Sequence, residues 1–416
     1  MKTDIERLMA ESGVDALLIT GSGQHNPGMV YLTGGAYLNS ADLIVKPGAE
    51  PSLFHYPMER DEAAKTGLKT IDLTDIGLDE IRRIGGGDPI RTEVEKYQRI
   101  FKHAGLEAGR VAVAGMRDAG TAYAVFSELR EQFPEISFDG KEAGEILLKA
   151  MSTKDHDEID RIRRMGMITV DVVHKTADFL TTREVRDGAL LNEDGAFLTI
   201  GDVKNQIRLW VAENGAELPE GFIFAQGGDA GVPHSTGDLE DVLRLGETIV
   251  FDIFPCEAGG GYYFDFTRTW CLGYASKEAQ RLYADVFSVY QTVTGELQMG
   301  EYCRLYQERV CELFEQQGHS TIRSVPGTKD GYVHSLGHGL GLHVHEYPWF
   351  SAVSTNKHKL LPGSVVTIEP GLYYPERGMG VRLEDTVWIR PDGEIEVLVD
   401  YPMDFVLPVK GYNFGE

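Results

Sequence analysis

The chain has 416 residues, of which 42% are hydrophobic and 25% charged, which fits two or three folded domains with sizeable cores and excludes a disordered protein. Lys and Arg number 40 against 65 Asp and Glu, a formal charge of −25, and no basic stripe interrupts that field, so nucleic acid and anionic membrane are poor partners. Cys256, Cys271, Cys303 and Cys311 are too few for a disulfide framework and lack CxxC spacing. Acids stand among the first six residues, and no apolar run reaches the roughly 18 residues of a membrane span. A cytoplasmic protein with reduced thiols is expected.

In chain order, Thr3 and Glu6 have capping-box spacing, and Ile5, Leu8 and Met9 share one helical face up to Gly13. Asp15-Ala-Leu-Leu-Ile-Thr20 reads as a buried strand, with further strands at Ala41–Val45 and Ser52–His55 and helical patterns near Glu59–Lys65 and Thr121–Phe133. These make an α/β first domain over residues 1–150. Met151–Arg164 is dense in charge and leads into Ile162, Met165, Thr169, Val173, Ala177 and Leu180, the spacing of a long amphipathic helix. A second domain therefore spans 151–416. Its further helices are expected around Val203–Val211, Leu282–Val293 and Tyr306–Phe314, each of the first and last stopping at a glycine. Strands are expected at Thr248–Phe254, Tyr262–Trp270, Ser364–Ile368 and Val381–Ile389. The fold class is α+β, with helices covering a largely antiparallel sheet.

Four segments of this domain carry chemistry. The first, Phe251 to Trp270, reads as a hairpin around Pro255 and three glycines, in which Asp252 and Asp265 lie opposite each other on one face. Asp is disfavoured in a strand and costly when buried alone, so such a pair asks for a partner. The second, His334 to Glu346, holds four of the 12 histidines. Glycines at 337, 339 and 341 exclude a zinc-binding helix and suggest an irregular strand, leaving open which of His334, His338, His343 and His345 converge. The third and fourth place Glu369 before Pro-Gly and Glu384 beside Arg382 in β-branched, apolar runs.

Together Asp252, Asp265, Glu369 and Glu384 carry four negative charges. At about 4 Å and an effective dielectric near 20, each adjacent pair costs on the order of 4 kcal/mol. Two divalent cations neutralise the set, and carboxylates with one imidazole suit Mn²⁺, Co²⁺, Fe²⁺ or Zn²⁺. A metal pair about 3.5–4 Å apart would lower the pKa of a bridging water toward 7, the chemistry of a hydrolase.

These segments resemble the pita-bread metallopeptidases: aminopeptidase P, prolidase, methionine aminopeptidase and creatinase. The resemblance rests on Asp252, on Asp265 in Asp-Phe-Thr-Arg-Thr, on His338 in His-x-x-Gly-His-Gly, on Glu369 in Glu-Pro-Gly-Leu-Tyr, and on Glu384 in Arg-Leu-Glu-Asp-Thr. It implies a creatinase-like N-terminal domain followed by a pita-bread catalytic domain with a curved sheet. By the same resemblance, Asp252, Asp265, His338, Glu369 and Glu384 bind two divalent ions, with Mn²⁺ first and Co²⁺ or Zn²⁺ as alternatives. Glu369 would take the proton of the attacking water, and His234 and His345 would assist at the substrate. His334, Arg382 and Tyr373 would line the substrate site. The implied activity is Xaa-Pro exopeptidase cleavage of proline-containing peptides, by a homodimer. The alternatives are a metal-binding or peptide-binding non-peptidase on the same fold, or a related C–N or phosphoester hydrolase. Two departures stand out: Phe254-Pro255 follow Asp252 where relatives carry Asp-x-Gly, and Trp349 stands where many prolidases have an Arg for a dipeptide's carboxylate.

Overall fold

The computed structural model describes residues 4–410 and 412. The chain divides into two compact units: one runs to Met151 and takes in Gly259–Gly261, the other comprises Ser152–Ala258 and the chain from Tyr262 onward. Among the described residues no helix is long and apolar enough to cross a membrane.

Thr3 lies outside the described residues, so the capping box expected there is not described. The helix that follows, Asp4–Ser12, buries Ile5, Leu8 and Met9, the face its spacing predicted. The expected strands then form at Ala16–Gly21, Ala41–Val45 and Ser52–His55. They belong to a six-stranded mixed sheet ordered Lys69–Asp72, Ser52–His55, Ala41–Val45, Ala16–Gly21, Gly109–Met116, Ile136–Asp139. Ala16–Gly21 is central, antiparallel to Ala41–Val45 and parallel to Gly109–Met116. Asp42 is buried on that sheet, 2.8 Å from the Lys96 ammonium and accepting from Thr20 at 2.6 Å. Burial alone would raise its carboxyl; Lys96 and Arg117 more than offset that and hold it below the usual range.

The larger unit begins with the helix His156–Thr181, started by a capping box in which Asp155 and Glu158 exchange side-chain and backbone bonds. Ile162, Met165, Thr169, Val173 and Leu180 are buried along it. The helices Ile200–Glu213, Lys277–Glu296 and Cys303–Gln316 follow the same apolar spacing. The last two pack Val286, Val293, Val310 and Phe314 into a core shared with Val366, Ile368, Leu372, Val381 and Val387 of the sheets.

Two sheets frame the unit's centre. One is ordered Phe222–Gln226, Thr248–Ile253, Phe266–Leu272, Val406–Leu407; the other Glu346–Trp349, His338–Gly339, Val365–Ile368, Asp385–Ile389, Ile395–Val397. Gly371–Tyr374 and Met379–Arg382 form a two-stranded sheet. All these pairings are antiparallel except Phe266–Leu272 with Val406–Leu407.

Two expectations need correction. The run Val381–Ile389 is two strands: Met379–Arg382 pairs with Gly371–Tyr374, Asp385–Ile389 pairs with Val365–Ile368, and Leu383 and Glu384 lie at the change of partner. Glu384 instead bridges to Thr267, which links this segment to the other sheet. Asp252 and Asp265 are likewise not opposite each other. The register pairs Asp252 with Thr267 and Ile253 with Phe266, so Asp265 stands two residues off, just before its strand. Because side chains alternate with period two, that offset still leaves both aspartates on one face.

Candidate active site

Three of the four acids stand beside a strand end or at a break in pairing, and Asp252 is paired on both sides within its strand. Asp252 is near the end of Thr248–Ile253, Asp265 precedes Phe266–Leu272, Glu369 follows Val365–Ile368, and Glu384 occupies the break described above. The histidine segment bends because its glycines allow close backbone approach. A Cβ on Gly337 would lie 2.0 Å from the Thr367 carbonyl oxygen, and one on Gly339 would lie 2.0 Å from that of Tyr347. The segment becomes the short strand His338–Gly339, with a register shift between its two residues.

These elements surround one cavity of about 400 Å³. It is lined by all five residues read as metal ligands, Asp252, Asp265, His338, Glu369 and Glu384, and also by His234, His334, His345 and Arg382. His343 is not among its lining residues, and neither is Tyr373. Tyr373 is fully buried behind the wall, where its hydroxyl accepts from Arg382 at 2.8 Å and meets His334 Nε2 at 2.9 Å. Arg382 is itself buried: its guanidinium pairs with Asp252 and donates to the Pro233 carbonyl at 3.2 Å. His234 and His345 are exposed at the cavity. The sequence reading did not single out Glu220, Phe222, Ile223 and Val344, which also line it. Phe222 and Ile223 were legible only as part of an apolar run, and nothing near Glu220 marked it.

Donor atoms of Asp265, His338 and Glu384 lie within 4.8 Å of one another. His338 Nε2 is 3.4 Å from Glu369 Oε1 and 3.8 Å from Asp265 Oδ2. Thr267 donates to Glu384 Oε2 at 2.7 Å and fixes that carboxylate. Asp252 Oδ1 and Asp265 Oδ1 are buried with no hydrogen-bond partner among the described residues. A buried carboxylate oxygen without a donor is costly, and two in one cluster of acids are what a cation site leaves behind when only protein atoms are counted. The donor set of carboxylates and one neutral imidazole therefore fits a divalent metal.

Protonation follows the same logic. Burial, then Asp252, push Glu384 up to about 8 in the metal-free protein. Burial and the neighbouring acids raise Asp265 and Glu369 well above the ordinary range. Burial and His345 lower His338 to about 3, which keeps its imidazole neutral and able to ligate. Burial and Arg382 lower His334 to about 3.

A pH dependence follows for the chelated protein. Between the unfolded value of 4.5 and about 8, folded Glu384 holds a proton that the unfolded chain has released. Stability therefore falls as pH rises through that window. The lowered histidines act oppositely, but only below about 6.5. From pH 6.5 to 8 the chelated protein should lose melting temperature, and added Mn²⁺ should raise it more at pH 8 than at 6.5. A metal-induced shift that is equal at both pH values in thermal scans would contradict this.

Comparison with known proteins agrees with this architecture. The chain is 26% identical over 360 residues to an uncharacterised peptidase of Staphylococcus epidermidis, covering 86% of this chain and 87% of that protein. It is 31% identical over 193 residues to a Xaa-Pro dipeptidase of Pyrococcus furiosus, covering 46% of this chain and 51% of the other. The crystal structure of an X-Pro aminopeptidase from Thermotoga maritima superposes with a TM-score of 0.73 at 22% identity, covering 96% of this chain and 99% of that one. The fold is thus the creatinase-like, pita-bread arrangement. The sequence matches metallopeptidase family M24 over residues 160–391, more than half of its length, and the chain belongs to that family: it is a metallopeptidase.

Proposed function

We propose that this protein is a dinuclear-metal exopeptidase that hydrolyses Xaa-Pro bonds, with the catalytic domain in residues 151–416. One observation carries the reading: five carboxylate and imidazole ligands line a single cavity and leave buried oxygens of Asp252 and Asp265 unsatisfied. Asp252, Asp265, His338, Glu369 and Glu384 would hold the two ions, Mn²⁺ first among the candidates. Bound, the pair supplies Lewis acidity, lowering the pKa of a water toward neutrality and polarising the scissile carbonyl.

The chain's own residues do the rest. Glu369 accepts the proton of the attacking water. Its backbone N–H donates to the Leu336 carbonyl at 2.8 Å, which holds the main chain at this position. The nitrogen of an Xaa-Pro bond has no hydrogen, so cleavage must deliver a proton to it. His234 and His345, exposed and lining the cavity, are the groups we assign to donate to substrate. Arg382 holds Asp252 and, through Tyr373, His334. Phe222, Ile223, Phe254 and Trp349 provide apolar wall for a proline ring.

The test is a panel of Xaa-Pro dipeptides, Xaa-Pro-Yaa tripeptides and Xaa-Ala controls with Mn²⁺, Co²⁺ and Zn²⁺. Cleavage confined to bonds before proline, with tripeptides favoured over dipeptides, is expected. Intact Xaa-Pro substrates with metal-loaded protein would refute the activity. Peptide bound but uncut would instead indicate a binding protein on this fold.

A further inference from the structure

The metal-ligand, histidine and Arg382 roles above leave one charged residue of the cavity lining without a part, Glu220. Glu220 lines this cavity and is exposed, and among the described residues its carboxylate has no ion pair or hydrogen bond. It lies within the turn closed by the Gly221 N–H to the Leu218 carbonyl, two residues before the strand Phe222–Gln226. Trp349 and His345 line the cavity with it, their rings 6.5 Å apart and near parallel. Among the described residues, Arg382 is the one Lys or Arg lining this space, and its donors are committed. They go to Asp252, to Thr267 at 3.3 Å, to Tyr373 at 2.8 Å and to the Pro233 carbonyl at 3.2 Å. A free C-terminal carboxylate entering here meets an aromatic wall, an acid and histidines, and no unengaged Lys or Arg side chain.

We propose that Glu220, in the cavity that Trp349 also lines, forms a subsite for a cationic side chain on the residue following proline, so that the preferred substrates are Xaa-Pro-Lys or Xaa-Pro-Arg peptides rather than Xaa-Pro dipeptides. The assignment rests on the Xaa-Pro reading above, in which His345 acts at the substrate and shares its cavity with Glu220 and Trp349. An exposed carboxylate gains only a modest amount from one cation and loses a similar amount to one anion. The two together make a discrimination of roughly tenfold at low ionic strength, reduced by salt.

The experiment compares Ala-Pro-Lys, Ala-Pro-Gln and Ala-Pro-Glu, each with free and amidated C-terminus, on the Mn²⁺-loaded full chain at low and high salt. The expected order of kcat/KM is Lys, Gln, Glu, carried by KM, improved by amidation and compressed by salt. In Glu220→Gln the Lys-to-Glu ratio should collapse toward unity, and in Glu220→Lys it should invert. Melting temperatures of both variants confirm folding. An unchanged order in Glu220→Lys overturns the assignment, as does a preference for Lys before proline rather than after it. If no Xaa-Pro peptide is cleaved, the Xaa-Pro reading falls by itself. The charge order is then read from calorimetric binding of the same peptides, and equal binding of the Lys and Glu peptides overturns the subsite.

Discussion

Glu369→Gln, loaded with Mn²⁺, should lose roughly 10²–10⁴-fold in kcat on an Xaa-Pro substrate, the range typical of removing a positioned general base. Glutamine keeps the shape of the side chain and the backbone bond to Leu336, so the strand Val365–Ile368 and the cavity wall should persist. What is lost is the acceptor for the water's proton, together with one negative charge. In the chelated protein that lost charge is a gain, because burial and Glu384 already raise Glu369 well above its ordinary range. The variant should therefore melt higher than wild type at pH 8 when metal is removed. Metal content measured by elemental analysis separates lost chemistry from lost metal. Activity within fivefold of wild type at full metal occupancy would remove Glu369 from the role of base.

The second large effect is on stability. Lys154 and Glu346 form an ion pair with side chains 1% and 0% exposed. The Lys154 backbone N–H also donates to the Gly363 carbonyl at 2.8 Å, one residue before the N-cap of the helix His156–Thr181. Glu346 Oε2 accepts from the His343 N–H at 3.4 Å, so the pair ties the start of that helix to the loop that presents His345. Lys154→Met strands a buried carboxylate, and breaking such a pair costs about 3–5 kcal/mol. Denaturant unfolding should show that loss in the transition of the larger unit. Lys154→Met with Glu346→Leu should recover most of it, since two apolar side chains replace a costly desolvated pair. A single variant within about 1 kcal/mol of wild type, or a double variant no better than the single, would show that the pair is not what holds this loop.

Periodicity was informative wherever burial falls on one face. The helices at His156–Thr181, Ile200–Glu213, Lys277–Glu296 and Cys303–Gln316 bury long apolar stripes, and those stripes are visible as spacing. Ala41–Val45 and Ser52–His55 are short apolar runs bounded by turn residues, and they form as read. Gly109–Met116 was missed because glycines and half-exposed positions interrupt its pattern, although it pairs with the central strand Ala16–Gly21. The helix Pro89–His103 was missed despite the start signal Asp88-Pro89, because a charged exterior dilutes its apolar face.

For the site, residue chemistry alone named the four acids and the histidine cluster, since several acids in apolar runs need partners and together suit a cation site. Residue chemistry left open which histidine joins the acids, and only the motif resemblance pointed to His338. The choice follows from the bend at Gly337 and Gly339, which takes His338 into the cluster and leaves His343 outside the cavity wall. Sequence could not supply Glu220, Phe222 or Ile223, which come from a separate segment, or the commitment of Arg382 to Asp252 and Tyr373. A local pattern records which residues are costly to bury. Only the packing of sheets distant in sequence decides which of them meet and which charges remain without a partner.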